Sequence, residues 1–407
     1  MQGGPGPLRR LGPRPLLLHL TLAMLRSSAS IAGSPGSRNG WQRSSAAFMA
    51  GAARLRDALG PSGGPAEQAF RRAVLAETLR QDRDLIAGIA AYRRHPYRRD
   101  LSDPPVLWRE GDTRLLDYGS GRRRAPAVLF VPSLVNRAYV LDLAEGGSML
   151  RWLAASGVRP LLLDWGWPGA AERGFTLTDY IAGRLERALA AAPRRLVLAG
   201  YCMGGLLALA AALRQPSRFR GLALLATPWD FHGAGAERAV LLARTLPLLE
   251  PMLSFSASLP TDCLQMLFSG LDPFGVGAKY RSFARLDPGS ARARLFVALE
   301  DWLNDGVPLA APVAREAIAG WYGANSPGRG TWRVAGLAVD PTKLRLRTFI
   351  AVPGRDRIVP PESARPLAAL IPGAALHAPQ AGHIGMVAGS SAEAALWRPL
   401  RDWIENL

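Results

Sequence analysis

The chain has 407 residues, 48% hydrophobic and 20% charged, with a formal net charge of +18. That length suits one large α/β domain with appendages, and the composition is that of a folded chain, not a disordered one. All but two of the 50 basic residues are arginine, the lysines being Lys279 and Lys343, and the arginines are scattered with only short clusters such as Arg122-Arg123-Arg124. No zinc-finger spacing or aromatic RNA-binding motif accompanies them, which argues against nucleic acid as a partner.

Two cysteines, Cys202 and Cys263, cannot build a disulfide framework and fit a reducing compartment. The histidines at 19, 95, 232, 377 and 383 are dispersed, without cysteine or carboxylate at ligand spacing, so neither a metal nor a bound cofactor is expected.

In chain order, residues 1–50 form a segment of their own. Arg9 and Arg10 precede an apolar stretch from Leu16 to Leu25, and Ser28-Ala29-Ser30 follows. These are the ingredients of a signal peptide. The same stretch also reads as a poorly ordered or peripheral helix, or as an over-extended gene start. It is short and contains His19, so no transmembrane span is expected. Residues 35–45, rich in Ser, Gly and Arg, read as a linker.

A helical region is assigned to 51–110. Within it, Ala66 to Tyr92 carries Phe70, Val74, Leu75, Leu79, Leu85 and Ile86 at helical spacing, and His95-Pro96 ends the pattern because a residue before proline disfavours the helical conformation. From 111 to 230, strand and helix signals alternate. Ala127–Val131, Leu161–Leu163, Leu196–Ala199 and Leu222–Leu225 are continuous apolar runs, as is Phe349–Val352 later. Strands apolar on both faces belong to a parallel sheet covered by helices, and Leu177–Ala192 and Leu206–Leu213 supply helical patterns between them. Residues 231–335 break the rhythm with irregular apolar segments (Leu246–Phe255, Cys263–Phe274, Phe296–Trp302) and are assigned to a cap, or lid, over the sheet's functional edge. The core resumes over 336–407. The fold class expected is the α/β-hydrolase fold: a mostly parallel sheet covered by helices, with a cap insertion and an N-terminal helical region.

The sharpest local signal is Gly200-Tyr201-Cys202-Met203-Gly204-Gly205, a G-x-C-x-G pattern between a strand and a helix. This is the context of a nucleophile elbow with cysteine in place of serine. Gly200 and Gly204 leave room where side chains would strike the neighbouring strand and helix. The helix that follows aims its N-terminus at the sulfur, and the Met203 backbone N–H is the expected oxyanion donor.

A cysteine nucleophile needs a base, and the base needs an orienter, in the order nucleophile, acid, histidine. His383 lies in Ala381-Gly382-His383-Ile384-Gly385, a glycine-flanked C-terminal loop that suits a reacting group better than a packed one. Asp356 follows the late strand 349–352. Asp164 and Asp230 also follow strands and are rival acids, while His232 could line the pocket.

These residues resemble the polyhydroxyalkanoate synthase family of the α/β-hydrolase superfamily. Val131-Pro132-Ser133-Leu134-Val135-Asn136-Arg137 through Leu143 looks like its first-strand loop, Asp164-Trp165-Gly166-Trp167-Pro168 its second marker, and Thr227-Pro228-Trp229-Asp230-Phe231 its third. Asp356 in Asp-Arg-Ile-Val-Pro-Pro and His383 in Gly-His-Ile-Gly-Met fall at its acid and base positions. The likeness runs from about residue 90 to the C-terminus.

The resemblance implies an acyltransferase that polymerises (R)-3-hydroxyacyl groups from coenzyme A thioesters through a thioester on Cys202, with Val135 giving a second oxyanion N–H. It implies a cytoplasmic location, on polyester granules, with hydroxyacyl-CoA and the granule surface as partners, and it leaves a homodimer or a partner subunit open. Two alternatives stand beside it: a polyester depolymerase or thioesterase with the same triad, and a non-catalytic granule-associated paralogue. Side-chain length preference and the coenzyme A pocket are not legible in the residues.

Overall fold

The apolar runs become the middle of an eight-stranded sheet. The strands are β1 (Val106–Glu110), β2 (Thr113–Asp117), β3 (Ala127–Val131), β4 (Arg159–Asp164), β5 (Leu196–Tyr201), β6 (Phe219–Leu225), β7 (Arg347–Ala351) and β8 (Ala375–His377). The order is β1-β2-β4-β3-β5-β6-β7-β8. The structure is a computed structural model describing residues 10–33, 46–61, 63–119, 121 and 124–407; the linker expected over 35–45 lies outside them.

Strands β3 to β8 pair in parallel, and β1 and β2 add an antiparallel hairpin at one edge. All six residues of β5 are buried, as are four of five in β3. Side chains covered on both faces are what a central parallel strand demands. The β1–β2 hairpin escaped the sequence reading because each of its five-residue strands gives two positions to charged residues, around the turn at Gly111 (φ 59°), and β1 lies at an exposed edge.

The chain divides into two units. One comprises residues up to Pro96 together with Asp272–Val297; the other comprises Tyr97–Leu271 and Ala298–Leu407. The segment expected as a single insertion, 231–335, is therefore shared between them. In the first unit the long helix Pro65–Arg94 crosses the helix Gly275–Phe283 so closely that a β-carbon on Gly88 would stand 2.0 Å from the Tyr280 carbonyl oxygen. Beside that crossing the Tyr92 ring meets the Tyr280 ring edge-on at 5.6 Å. Helix Leu16–Ala32 joins through Ser27, whose hydroxyl donates to Asp82. Among the described residues no single helix is long and apolar enough to cross a membrane; the pair Ala236–Ala243 and Leu246–Ser256 passes together by length and composition but is bent by 43°.

In the second unit one buried carboxylate organises the loop after β3. Asp142 is fully buried and accepts from Arg99 Nη2 (2.8 Å), Arg151 Nε (2.7 Å), Ser148 Oγ (2.5 Å) and Tyr118 Oη (3.1 Å). Its turn packs through Ala138–Leu141 on the helix His383–Ala388. The Asp142→Ala variant should lose about 3 kcal/mol of stability, the low end for breaking a buried ion pair because both arginines also reach water. Urea unfolding followed by tryptophan fluorescence measures this, and the Asn variant, which keeps the oxygen that accepts from Ser148 or Tyr118, should lose less.

Candidate active site

Cys202 closes β5 and caps the helix Met203–Arg214, at φ 56° and ψ −130°. A non-glycine residue in this region carries strain of about 1–3 kcal/mol and persists only where its surroundings over-determine it. They do: its N–H donates to the Leu225 carbonyl (2.8 Å), and its carbonyl accepts from Gly205 N–H (2.9 Å). A β-carbon on Gly200 would sit 2.4 Å from Gly205 Cα, and one on Gly204 2.1 Å from the Val131 carbonyl oxygen. Gly205, which the G-x-C-x-G pattern leaves out, is as constrained, since its β-carbon would come within 1.8 Å of Thr227 Oγ1. The Gly204-Gly205 doublet is the sequence signal for it. Met203 is the first residue of the helix, where no preceding helical carbonyl takes its N–H. The Val135 N–H is donated to Ser133 Oγ at 3.1 Å, so in this structure it is already engaged.

His383 begins the helix His383–Ala388, and Asp356 lies in the loop after β7. Asp356 Oδ1 accepts from the Ile358 and Val359 N–H groups at 2.8 and 2.9 Å, which fixes the carboxylate. Its Oδ2 meets His383 Nδ1 at 2.6 Å. That contact places the proton on Nδ1 and leaves Nε2 for the Cys202 thiol, which also hydrogen-bonds the ring. Both acid and base are buried. The Tyr201 hydroxyl donates to the His383 carbonyl at 3.2 Å and its ring lies 5.1 Å from the imidazole. Tyr201 is a supporting residue the sequence reading passed over, although it is the variable position inside the elbow motif.

Burial works against a charged imidazole here, but the negative charge of the Cys202 sulfur and the hydrogen bonds the ring gives to Asp356 and Cys202 outweigh it, pushing His383 up to about 10. Burial and the same sulfur push Tyr322 up to about 12, and burial, Cys202 and Asp356 push Tyr201 well above its ordinary value. The site thus favours imidazolium beside sulfur, with both phenols kept neutral.

The rival acids are committed elsewhere. Asp164 accepts from Arg114 Nη2 (2.7 Å) and Gly166 N–H (3.2 Å), and Asp230 from His232 N–H (2.9 Å) and Asn325 Nδ2 (2.8 Å). The rings of His19, His95, His232 and His377 each meet a backbone carbonyl. Cys263 faces the Met252 sulfur at 3.6 Å, and burial pushes its thiol up.

The sequence profile of the Alpha/beta hydrolase family matches residues 128–396, from the start of β3 into the last helices. The chain belongs to this family. Within it the chain is similar to the poly(3-hydroxyalkanoate) polymerase subunit PhaC of Haloferax mediterranei, at 27% identity over 73% of this chain and 63% of that protein. The PhaC subunit of Synechocystis sp. is 27% identical over 69% of this chain and 77% of its own length. That of Allochromatium vinosum is 28% identical over 71% and 83%. This α/β hydrolase therefore spans less than two thirds of one of these relatives and more of the other two.

The electrostatics make a direct prediction. The His383 ring should remain an imidazolium well above pH 6.5, and Cys202→Ala, which deletes the strongest upward influence while burial persists, should lower the midpoint. Ring chemical shifts followed by NMR across pH 5–11 measure both. Because the folded value lies above the unfolded one, the contribution of His383 to stability is complete below about pH 6.5 and is lost as pH rises through about 10.

Proposed function

We propose that this α/β hydrolase is an acyltransferase that polymerises (R)-3-hydroxyacyl groups from coenzyme A thioesters, with Cys202 as nucleophile, His383 as general base and Asp356 as its orienter. The observation that carries the reading is the imidazole seated between a carboxylate and a thiol, the thiol standing where the family's elbow presents its nucleophile. The similarity to three PhaC polymerase subunits supports the substrate class.

The chemistry follows from the geometry. The Cys202 sulfur attacks the thioester carbonyl, the bond from that carbon to the coenzyme A sulfur breaks, and the His383 imidazolium gives its proton to the departing thiolate. Thioester replaces thioester, so the exchange is nearly balanced and the acyl group stays reactive. His383 then takes the proton of an incoming 3-hydroxyl group as its oxygen attacks the acyl carbon. An ester forms and the Cys202 sulfur is released. General base help of this kind is worth about 10²–10⁴-fold. The Met203 N–H is the donor for the oxyanion, and Val135 joins it once its N–H leaves Ser133.

Chain growth requires that water stay out. The helices Ala236–Ala243, Leu246–Ser256 and Thr261–Ser269 cover this role, and they carry exposed apolar side chains (Leu248 81% and Phe255 94% exposed) that suit a polyester granule surface in the cytoplasm.

Incubation of the protein with 3-hydroxybutyryl-CoA, following free coenzyme A and insoluble polyester together, tests the reading. Release of coenzyme A should match polymer, with little free 3-hydroxy acid, and Cys202→Ala should abolish both. Free acid as the main product would instead make the protein a thioesterase or depolymerase. Asp356→Asn should slow coenzyme A release by about 10⁴-fold, as expected when the orienter no longer holds the imidazole tautomer, whereas Asp164→Asn should act on stability.

A further inference from the structure

The apolar stretch near the start of the chain, whose sequence fits a signal peptide or a peripheral helix alike, plays no part in the chemistry above. In the structure it forms the helix Leu16–Ala32, and its buried residues are the polar His19 and Ser27. The Ser27 hydroxyl donates to Asp82 at 2.8 Å, and Arg26 pairs with the same carboxylate at 3.1 Å. His19 and Arg26 line a crevice with Gly277 and Arg281. Leu18, Leu20 and Leu22 are half-buried on the flanks. The outer side carries Leu17, Thr21, Met24, Leu25, Ser28 and Ile31, all exposed, at the three- and four-residue steps of one helix face. Leu17 is 78% exposed and Met24 69%. Aside from His19, Arg26 is the one ionisable residue of this helix, and it is turned inward, so no charge interrupts the outer face. Polar contacts hold the inner side while apolar surface is left outside, the reverse of how a helix ordinarily joins a core.

The helix it packs on, Pro65–Arg94, carries a related stripe. Of the apolar residues whose spacing predicts this helix, Leu85 is buried, but Leu75, Leu79 and Ile86 are exposed. Arg72 and Arg83, also exposed, share their face, because 72, 75, 79, 83 and 86 follow one another by three or four residues. Every acidic residue of this helix is paired. Glu67 meets Arg71 at 2.7 Å, Glu77 meets Arg80 at 2.6 Å, Asp82 meets Arg26, and Asp84 meets Arg80 at 2.9 Å and Arg285 at 2.7 Å. The stripe thus presents hydrocarbon and guanidinium with no carboxylate among them.

We propose that the helix Leu16–Ala32 is an interfacial anchor that lays its outer face on an anionic phospholipid surface, with Arg72 and Arg83 of the neighbouring helix supplying the charge that selects acidic headgroups. Exposed apolar faces of this kind call for an apolar cover, and arginines beside them call for phosphate. A second copy of the chain fits less well: in a twofold contact the stripe would meet itself, arginine against arginine, with no carboxylate to pair. The inference uses no residue of the active site and does not rest on the acyl-thioester reading.

The test is co-sedimentation of the full chain with vesicles of mixed phosphatidylglycerol and phosphatidylcholine, against vesicles of phosphatidylcholine alone. The protein should bind the mixed vesicles more tightly, and rising salt should narrow the difference. Met24→Asp should weaken binding to the mixed vesicles at least about tenfold by placing a charge in the apolar face. Arg72→Gln and Arg83→Gln should each weaken it about fivefold and leave binding to phosphatidylcholine unchanged. These side chains are exposed, so circular dichroism and coenzyme A release should match the unmodified protein, and Leu17→Asp gives a second reading of the same face should Met24→Asp disturb the helix. Equal binding to both kinds of vesicle, or aspartate variants that bind within twofold of the unmodified protein, overturns the proposal. So does a dimer in solution that Met24→Asp converts to monomer, which would make this face a contact between copies. Intact-mass measurement showing that the cellular protein lacks Leu16–Ala32 would overturn it as well, since the stretch would then be a cleaved leader.

Discussion

The closeness of the Gly204-Gly205 backbone to its neighbours is the constraint on which the site depends. The Val131 carbonyl on one side and the Thr227 side chain on the other leave no room for a β-carbon at either glycine. Only because both are glycine can the helix Met203–Arg214 start directly behind the end of β5, and only that start forces Cys202 into its positive-φ turn. The strain is held by paired backbone groups on β6 and on the helix, and its return is a sulfur displayed above the sheet at a helix N-terminus.

Around that sulfur, charge is arranged as tightly as volume. Asp356 spends one oxygen on two backbone N–H groups and the other on His383, so the imidazole has one orientation and one free nitrogen. The proton the ring holds is stabilised by the sulfur it faces, against the pull of burial. A serine in the same turn would lack that charge. The cysteine is thus matched to its environment as well as to the thioester chemistry proposed for it.

The sequence markers that accompany the elbow have separable physical duties. Trp165 Nε1 donates to the Pro132 carbonyl at 3.0 Å, tying the second marker to the loop that holds Ser133 and Val135. Asp164 anchors Arg114 across the edge hairpin. Asp142 gathers Arg99, Arg151, Ser148 and Tyr118 under the turn that packs on the helix of His383. Asp230 laces its loop to Asn325. Three aspartates that share a place at or after strand ends therefore do three different structural jobs, and Asp356 alone meets an imidazole ring within this set.

The sequence by itself determined the central strands, the elbow and the candidate nucleophile, base and acid. Continuous apolar runs and glycine spacing are local signals, and chain order ranks the acids before any coordinates exist. The edge hairpin was silent because each of its short strands gives two of five positions to charged residues, which breaks the apolar run that marks the central strands. The grouping of Asp272–Val297 with the N-terminal helices, the engagement of Val135 by Ser133, and the placement of Tyr201 against the His383 imidazole belonged to the tertiary structure alone. Each depends on which distant segments meet, and periodicity reports only which face of an element is apolar, not what comes to cover it.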